Sequence, residues 1–118
     1  MSIDQHQLLR DRTKKFALRI IRVSQALPRT REANVIGTQV LRSGTSVAAN
    51  YRAAGRSRSR AEFASRIGVV VEEADETVFW LELLVESGII PAEKLNAIMK
   101  EANELLAIFS ASRATAKR

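Results

Sequence analysis

Apolar residues recur every three or four positions through most of this chain, and breaks in that recurrence divide it into four segments. In the first, Leu9, Phe16, Ile20, Ser24 and Leu27 fall at three-, four- and seven-residue steps, one face of a helix that stops at Pro28. Thr30 is placed to cap a second helix from about Arg31 to Ala54. Its core face is Ile36, Val40, Val47 and Tyr51, with Leu41, Gly44 and Ala48 alongside. Gly55 is placed to close it as the residue just past the helix end. Ser59-Arg60-Ala61-Glu62 reads as a capping box opening a third helix from Arg60 to about Glu86. Phe63, Ile67, Val70, Ala74, Val78, Leu81 and Val85 hold the period along it. Ser87-Gly88 ends that helix, and Pro91 opens a fourth carrying Leu95, Ile98, Met99, Ala102, Leu105, Leu106 and Phe109.

Four such helices with short connections predict an all-α fold, an antiparallel up-down-up-down four-helix bundle, as one domain over residues 1–118. Frayed tails are expected at about 1–7, where Asp4 and Gln7 are spaced to cap the first helix, and at 113–118, a short basic run.

Some positions depart from a plain bundle pattern. Gly37 and Gly44 lie one heptad apart inside the second helix, and each costs up to about 1 kcal/mol of helix propensity against alanine. Close approach of another helix would compensate. Gly37, Gly44, Ala48 and Tyr51 are therefore candidate positions of a helix-packing or oligomer interface. Phe79 and Trp80 lie off the main stripe of the third helix and widen its apolar surface, which marks them for association as well. Gln39, Ser43, Ser46 and Asn50 form a small polar row, either a solvent face or a seam where hydroxyls and amides bond across helices.

Charge alters the picture more than composition does. Up to Arg66 the chain has fourteen basic and four acidic residues, a net of +10; from Ile67 it has five and nine, a net of −4. Arg12, Lys15, Arg19 and Arg22 fall on one side of the first helix, a basic stripe about 15 Å long. Arg52, Arg56, Arg58 and Arg60 surround the start of the third helix, whose N–H groups and dipole favour anions. Both sets suit phosphate contacts. The plainer reading is a solvated face, or pairing with Glu72, Glu73, Asp75, Glu76, Glu82 and Glu86 of the third helix, in the same or a neighbouring subunit. Tyr51 is the one aromatic near the second cluster, so binding would be backbone-driven and salt-dependent.

Catalytic chemistry finds little support. The chain has no cysteine and one histidine, His6, which falls in the N-terminal tail and reads as solvated. A ferritin-like di-iron site needs Glu-x-x-His on two helices, so no metal or cofactor is expected. Glu72 and Glu76 would act as acid and base only in a pocket that separates their pKa values. No phosphate-binding glycine motif occurs, and no serine has a histidine or lysine partner. No catalytic residue is assigned, and a non-enzyme is expected. With no signal-like or membrane-length apolar run, the expected setting is cytoplasmic, with no membrane partner.

Leu41-Arg42-Ser43-Gly44-Thr45-Ser46-Val47-Ala48-Ala49-Asn50-Tyr51-Arg52-Ala53-Ala54, then Arg58 to Phe63, then Glu73 to Thr77 with Trp80-Leu81, resembles the four-helix-bundle family of 23S rRNA intervening-sequence proteins. Phe16-Ala17 to Leu27-Pro28 resembles the family's first helix and its exit, so the likeness covers about Thr13 to Gly88. The resemblance implies a homopentamer of small antiparallel bundles. It also implies kinship with the accessory protein of diversity-generating retroelements, a basic ring that binds nucleic acid and a reverse transcriptase. Members are often encoded in insertions within rRNA genes, and no catalytic residues carry over. The resulting expectation is a homo-oligomer that binds RNA or DNA through its basic first half. The alternative is a protein-interaction scaffold whose charges serve assembly alone.

Overall fold

The computed structural model describes residues 3–118; Met1 and Ser2 of the expected frayed tail lie outside the described residues. Four helices account for almost all of it: α1 (Ile3–Gln25), α2 (Arg31–Ala54), α3 (Arg60–Glu86) and α4 (Ala92–Ala116). Each packs on its neighbours in the order α1, α2, α3, α4 and back to α1, and the diagonal pairs meet only through side chains in the core. The result is the expected up-down bundle, 45 × 21 × 19 Å. The α1–α4 seam is the sparsest of the four.

The helix starts follow the side chains that predicted them. Thr30 accepts from the Ala33 N–H at 3.2 Å, and Ser59 accepts from the Glu62 N–H at 3.0 Å. Glu62 reaches back one residue further than a capping box requires, to the Arg58 N–H at 3.4 Å. Pro91 sits at the cap, so α4 begins one residue later, at Ala92.

Two helix ends differ from expectation, at Gly55 and at the C-terminus, while Gly88 closes the third helix as expected. Gly55 occupies the cap itself in right-handed helical geometry (φ −63°), so its conformational freedom is not used there. Gly88 is the residue that turns left-handed (φ 78°), beyond the end of α3. The C-terminal run is helical through Ala116 rather than frayed from Arg113. Its last turn is fastened: Arg60 donates to the carbonyls of Thr115 at 2.9 Å and Ala116 at 3.2 Å, a cation on the negative end of the helix dipole. Arg113 lies across α3, its guanidinium 3.4 Å from where a β-carbon on Gly68 would stand.

The N-terminal tail is likewise helical from Ile3, which places Asp4 in the first turn rather than at the cap. His6 is half-buried instead of solvated. Its Nδ1 lies 3.1 Å from the Tyr51 hydroxyl, and its ring packs against Tyr51 and edge-on to Phe63. Tyr51 is fully buried, with the Phe109 ring 5.1 Å away on its other side.

The chain comes close at both helical glycines of α2, but only at Gly44 is the neighbour α1 itself. A β-carbon on Gly44 would stand 2.8 Å from two carbons of Ile20, and one on Gly37 would stand 2.7 Å from Leu27 Cδ1. Ala48, next on that side, is half-buried. Leu41, expected beside the core, is exposed. In the small polar row, Ser43 alone bonds across helices: its hydroxyl shares a 2.9 Å hydrogen bond with Thr77 of α3, both buried. Asn50 instead donates to the Ser46 carbonyl of its own helix.

Candidate nucleic-acid interface

The two basic sets meet different fates. In the α1 stripe, Arg12 forms a two-pronged pair with Glu101 of α4, Nε to Oε2 at 2.8 Å and Nη2 to Oε1 at 2.7 Å, and Nη2 also reaches Glu104 at 2.7 Å. The hydrogen bond from Arg12 holds the Glu101 carboxyl below the usual carboxylate range against the opposing effect of burial, and the charge of Arg19 adds to it. The same pairing raises the Arg12 guanidinium further above its ordinary value. Arg12 is thus a latch across the sparse α1–α4 seam. Lys15 and Arg22 are exposed and Arg19 half-buried, and none of the three forms a salt bridge among the described residues.

At the α2–α3 turn, Arg60 is committed to the α4 carbonyls, whereas the guanidinium groups of Arg52, Arg56 and Arg58 are exposed and form no salt bridge among the described residues. Up-down topology brings the α4 terminus to this same end, with exposed Lys117 and Arg118. Glu62 is the acid nearest the turn, and it is engaged by Arg66 at 2.7 Å. The start of α3 is less open to an anion than its sequence implies, because Ser59 already takes the Glu62 N–H.

Two of the acids of the third helix are neutralised from α2 and none from α1 among the described residues. Arg42, a residue the sequence did not single out, donates to Glu73 at 3.0 Å and also contacts Glu76. Glu76 further accepts from the Trp80 indole N–H at 3.1 Å. Phe79 packs edge-on to Trp80, ring centroids 5.0 Å apart, yet remains 49% exposed. Glu72, Asp75, Glu82 and Glu86 are exposed and form no salt bridge among the described residues.

Below the Arg12 latch, α1 and α4 part to leave an open cleft of about 1090 Å³. Leu9, Phe63 and Ile108 lie along it, and Arg12, Lys15 and Arg60 border it. Among the described residues, no three His, Cys, Asp or Glu side chains gather as a metal site. No helix is long and apolar enough to cross a membrane.

With this geometry in view, the sequence profile of the 23S rRNA-intervening sequence proteins matches residues 6–111. The chain belongs to that family. It is similar to a crystallised protein of unknown function from the S23 ribosomal protein family of Bacteroides thetaiotaomicron VPI-5482. Identity is 32%, covering 92% of this chain and 97% of that one, with a TM-score of 0.85. No curated protein matches. The family likeness thus extends beyond the Thr13–Gly88 span that carried the sequence resemblance and takes in most of α4. Within the stretch from Leu41 to Ala54, Ser43, Gly44, Val47, Tyr51 and Ala54 are buried, so those five positions serve the fit of α2 against its neighbours.

Proposed function

We propose that this member of the 23S rRNA-intervening sequence family is a non-enzymatic, homo-oligomeric bundle that binds nucleic-acid backbone through its basic end. One observation carries the reading. Once the internal pairs are assigned, Arg52, Arg56 and Arg58 remain exposed around one turn with no acid to neutralise them. A polyanion that meets such a cluster releases its condensed counterions, which favours binding at low salt and makes it steeply salt-dependent. Of the aromatics that flank the turn, Tyr51 is buried and Phe63 is half-buried beside the cleft, so contacts would be to phosphates more than to stacked bases. Lys15, Arg19 and Arg22 carry further unpaired charge along α1. The reading sets the chain in the cytoplasm, in keeping with its cysteine-free composition. Pentameric assembly is the state the family resemblance implies.

The test is fluorescence anisotropy with labelled single- and double-stranded RNA and DNA across a salt series. Wild type should bind, with log affinity falling linearly in log salt. Replacing Arg52, Arg56 and Arg58 together by glutamate should abolish binding while the far-UV circular dichroism is kept. Replacing them by glutamine should lower the salt slope by about 2–3, the loss of three phosphate contacts. No binding by wild type at low salt, or binding unchanged in the triple variant, refutes the reading. The second reading, an assembly scaffold, is favoured by the unpaired acids Glu72, Asp75, Glu82 and Glu86 on α3, which no polyanion would meet.

A further inference from the structure

Two outward stripes on this chain are complementary and cannot reach each other within one molecule. On α1, Leu18 is 46% exposed and is flanked on the same face by Lys15 and Arg22, three residues before it and four after. On α3, Phe79 is 49% exposed and is flanked by Asp75 and Glu82, four before and three after. Each stripe therefore places an apolar side chain between two like charges one heptad apart, about 10 Å along the helix. The signs are opposite. None of the four charged groups forms a salt bridge among the described residues.

These positions point away from the core. Leu9, Thr13, Phe16 and Ile20 fill the inner face of α1, and Ala74, Thr77, Leu81 and Leu84 the inner face of α3. Because α1 and α3 are diagonal in the bundle and these faces point away from the core between them, the two stripes lie on opposite sides of the molecule. A chain cannot fold one onto the other, but a second copy can present either.

We infer that the Lys15–Leu18–Arg22 stripe of one copy docks on the Asp75–Phe79–Glu82 stripe of the next. Leu18 seats against Phe79, which removes both half-exposed side chains from water. Lys15 and Arg22 then face the two carboxylates, and the apolar centre limits salt screening of the pairs. The two surfaces differ, so the contact is heterologous: every copy keeps one stripe of each kind to offer, and copies add head to tail until a ring closes or a chain grows. A two-fold dimer cannot satisfy it. Lys15 and Arg22 are then used between copies, which leaves Arg52, Arg56 and Arg58 for a polyanion.

The inference goes beyond the nucleic-acid reading and is tested without it, on nuclease-treated protein by sedimentation velocity and native mass spectrometry. Leu18→Glu and Phe79→Glu each spoil one stripe and leave the other intact. Each variant alone should be monomeric where wild type is oligomeric. Mixed in equal amounts they should give a one-to-one heterodimer and nothing larger, since one good junction remains and both outer stripes are blocked. Lys15→Glu/Arg22→Glu and Asp75→Lys/Glu82→Lys should each dissociate the assembly, and all four changes in one chain should restore it. Both core-neutral sets should keep the wild-type far-UV spectrum. A monomeric wild type, variants of wild-type mass, a mixture that stays monomeric, or a quadruple variant that stays dissociated overturns the inference.

Discussion

Replacing Gly44 by alanine should destabilise this protein although alanine is the better helix former. The propensity gain is about 1 kcal/mol. Against it stands the α1–α2 contact: the new β-carbon would lie 2.8 Å from Ile20 Cγ1 and Cγ2 and 3.1 Å from Ile20 Cβ. Ile20 is fully buried and branched at that very atom, so no rotation of its side chain clears the space, and α1 must back away from α2. Overpacking of this kind costs about 1–3 kcal/mol, and the upper end applies where a helix must move. The net is a loss of about 2 kcal/mol, or about 8 °C at roughly 4 °C per kcal/mol for a chain of this length. Gly37 supplies the control. There the β-carbon would meet only Leu27 Cδ1, the far end of a flexible, half-buried side chain beyond the end of α1. Gly37→Ala should therefore be neutral or stabilising by up to about 1 kcal/mol. Urea and thermal unfolding by circular dichroism at matched protomer concentration would compare the two. If Gly44→Ala melts as high as Gly37→Ala, close helix approach is not why glycine stands at 44.

Other consequences of the packing are open to measurement. Ser43→Ala and Thr77→Val should each cost about 0.5–1.5 kcal/mol in urea unfolding, and the double variant less than their sum, because both remove the same interhelical hydrogen bond while the remaining hydroxyl keeps a carbonyl of its own helix. Glu101 is held ionised below the usual carboxylate range by Arg12, so its contribution is complete above that range and is lost as pH falls through its lowered folded value. Arg12→Met should accordingly flatten the acid limb of melting temperature against pH; an unchanged limb would remove Arg12 from the latch. Tyr51 is the one tyrosine, and burial pushes its phenol up to about 12, with Arg10 pulling the other way. The folded state thus keeps a proton that the unfolded chain sheds near pH 10, and stability should fall by about 2–3 kcal/mol between those values. Phenolate absorbance appearing at the ordinary tyrosine pH in folded protein would contradict that.

Periodicity carried the fold because each helix meets the core along one stripe, and the amino acids on that stripe are mostly apolar. It failed where a polar group is satisfied locally. Thr13 is buried with its hydroxyl on the Leu9 carbonyl at 2.8 Å, and Thr77 is buried with its hydroxyl 2.7 Å from the Glu73 carbonyl. Neither stands out in the apolar pattern, and geometry hides both at little cost because their own helix accepts the proton. The tails were misread for a related reason. Arg113 and His6 have no apolar signature, yet Arg113 is held by the gap at Gly68 and His6 by the Tyr51 hydroxyl, partners far off in sequence.

The charges show the same division between what one helix determines and what its neighbours do. A helical wheel puts Arg12, Lys15, Arg19 and Arg22 on one side of α1, and nothing local separates Arg12 from the rest. The separation comes from Glu101, 89 residues away across the α1–α4 seam. Likewise Arg52 to Arg60 form one cluster in sequence, but Arg60 alone ends under the α4 carbonyls. Arg42, isolated among small residues of α2, meets Glu73 and Glu76 because α2 and α3 are adjacent. Glu62 and Arg66, four apart on one helix, are the pair that spacing alone would yield. Neutralisation between adjacent helices therefore consumes Arg12 and Arg42, capping consumes Arg60, and three groups of exposed charge stand out among the rest. They lie on the outer face of α1, on the outer face of α3 and at the α2–α3 turn. The first two are opposite in sign and on opposite sides of the bundle, which is the arrangement self-association needs. At the turn Arg52, Arg56 and Arg58 form no salt bridge among the described residues, and that unspent charge is what the proposed polyanion would meet.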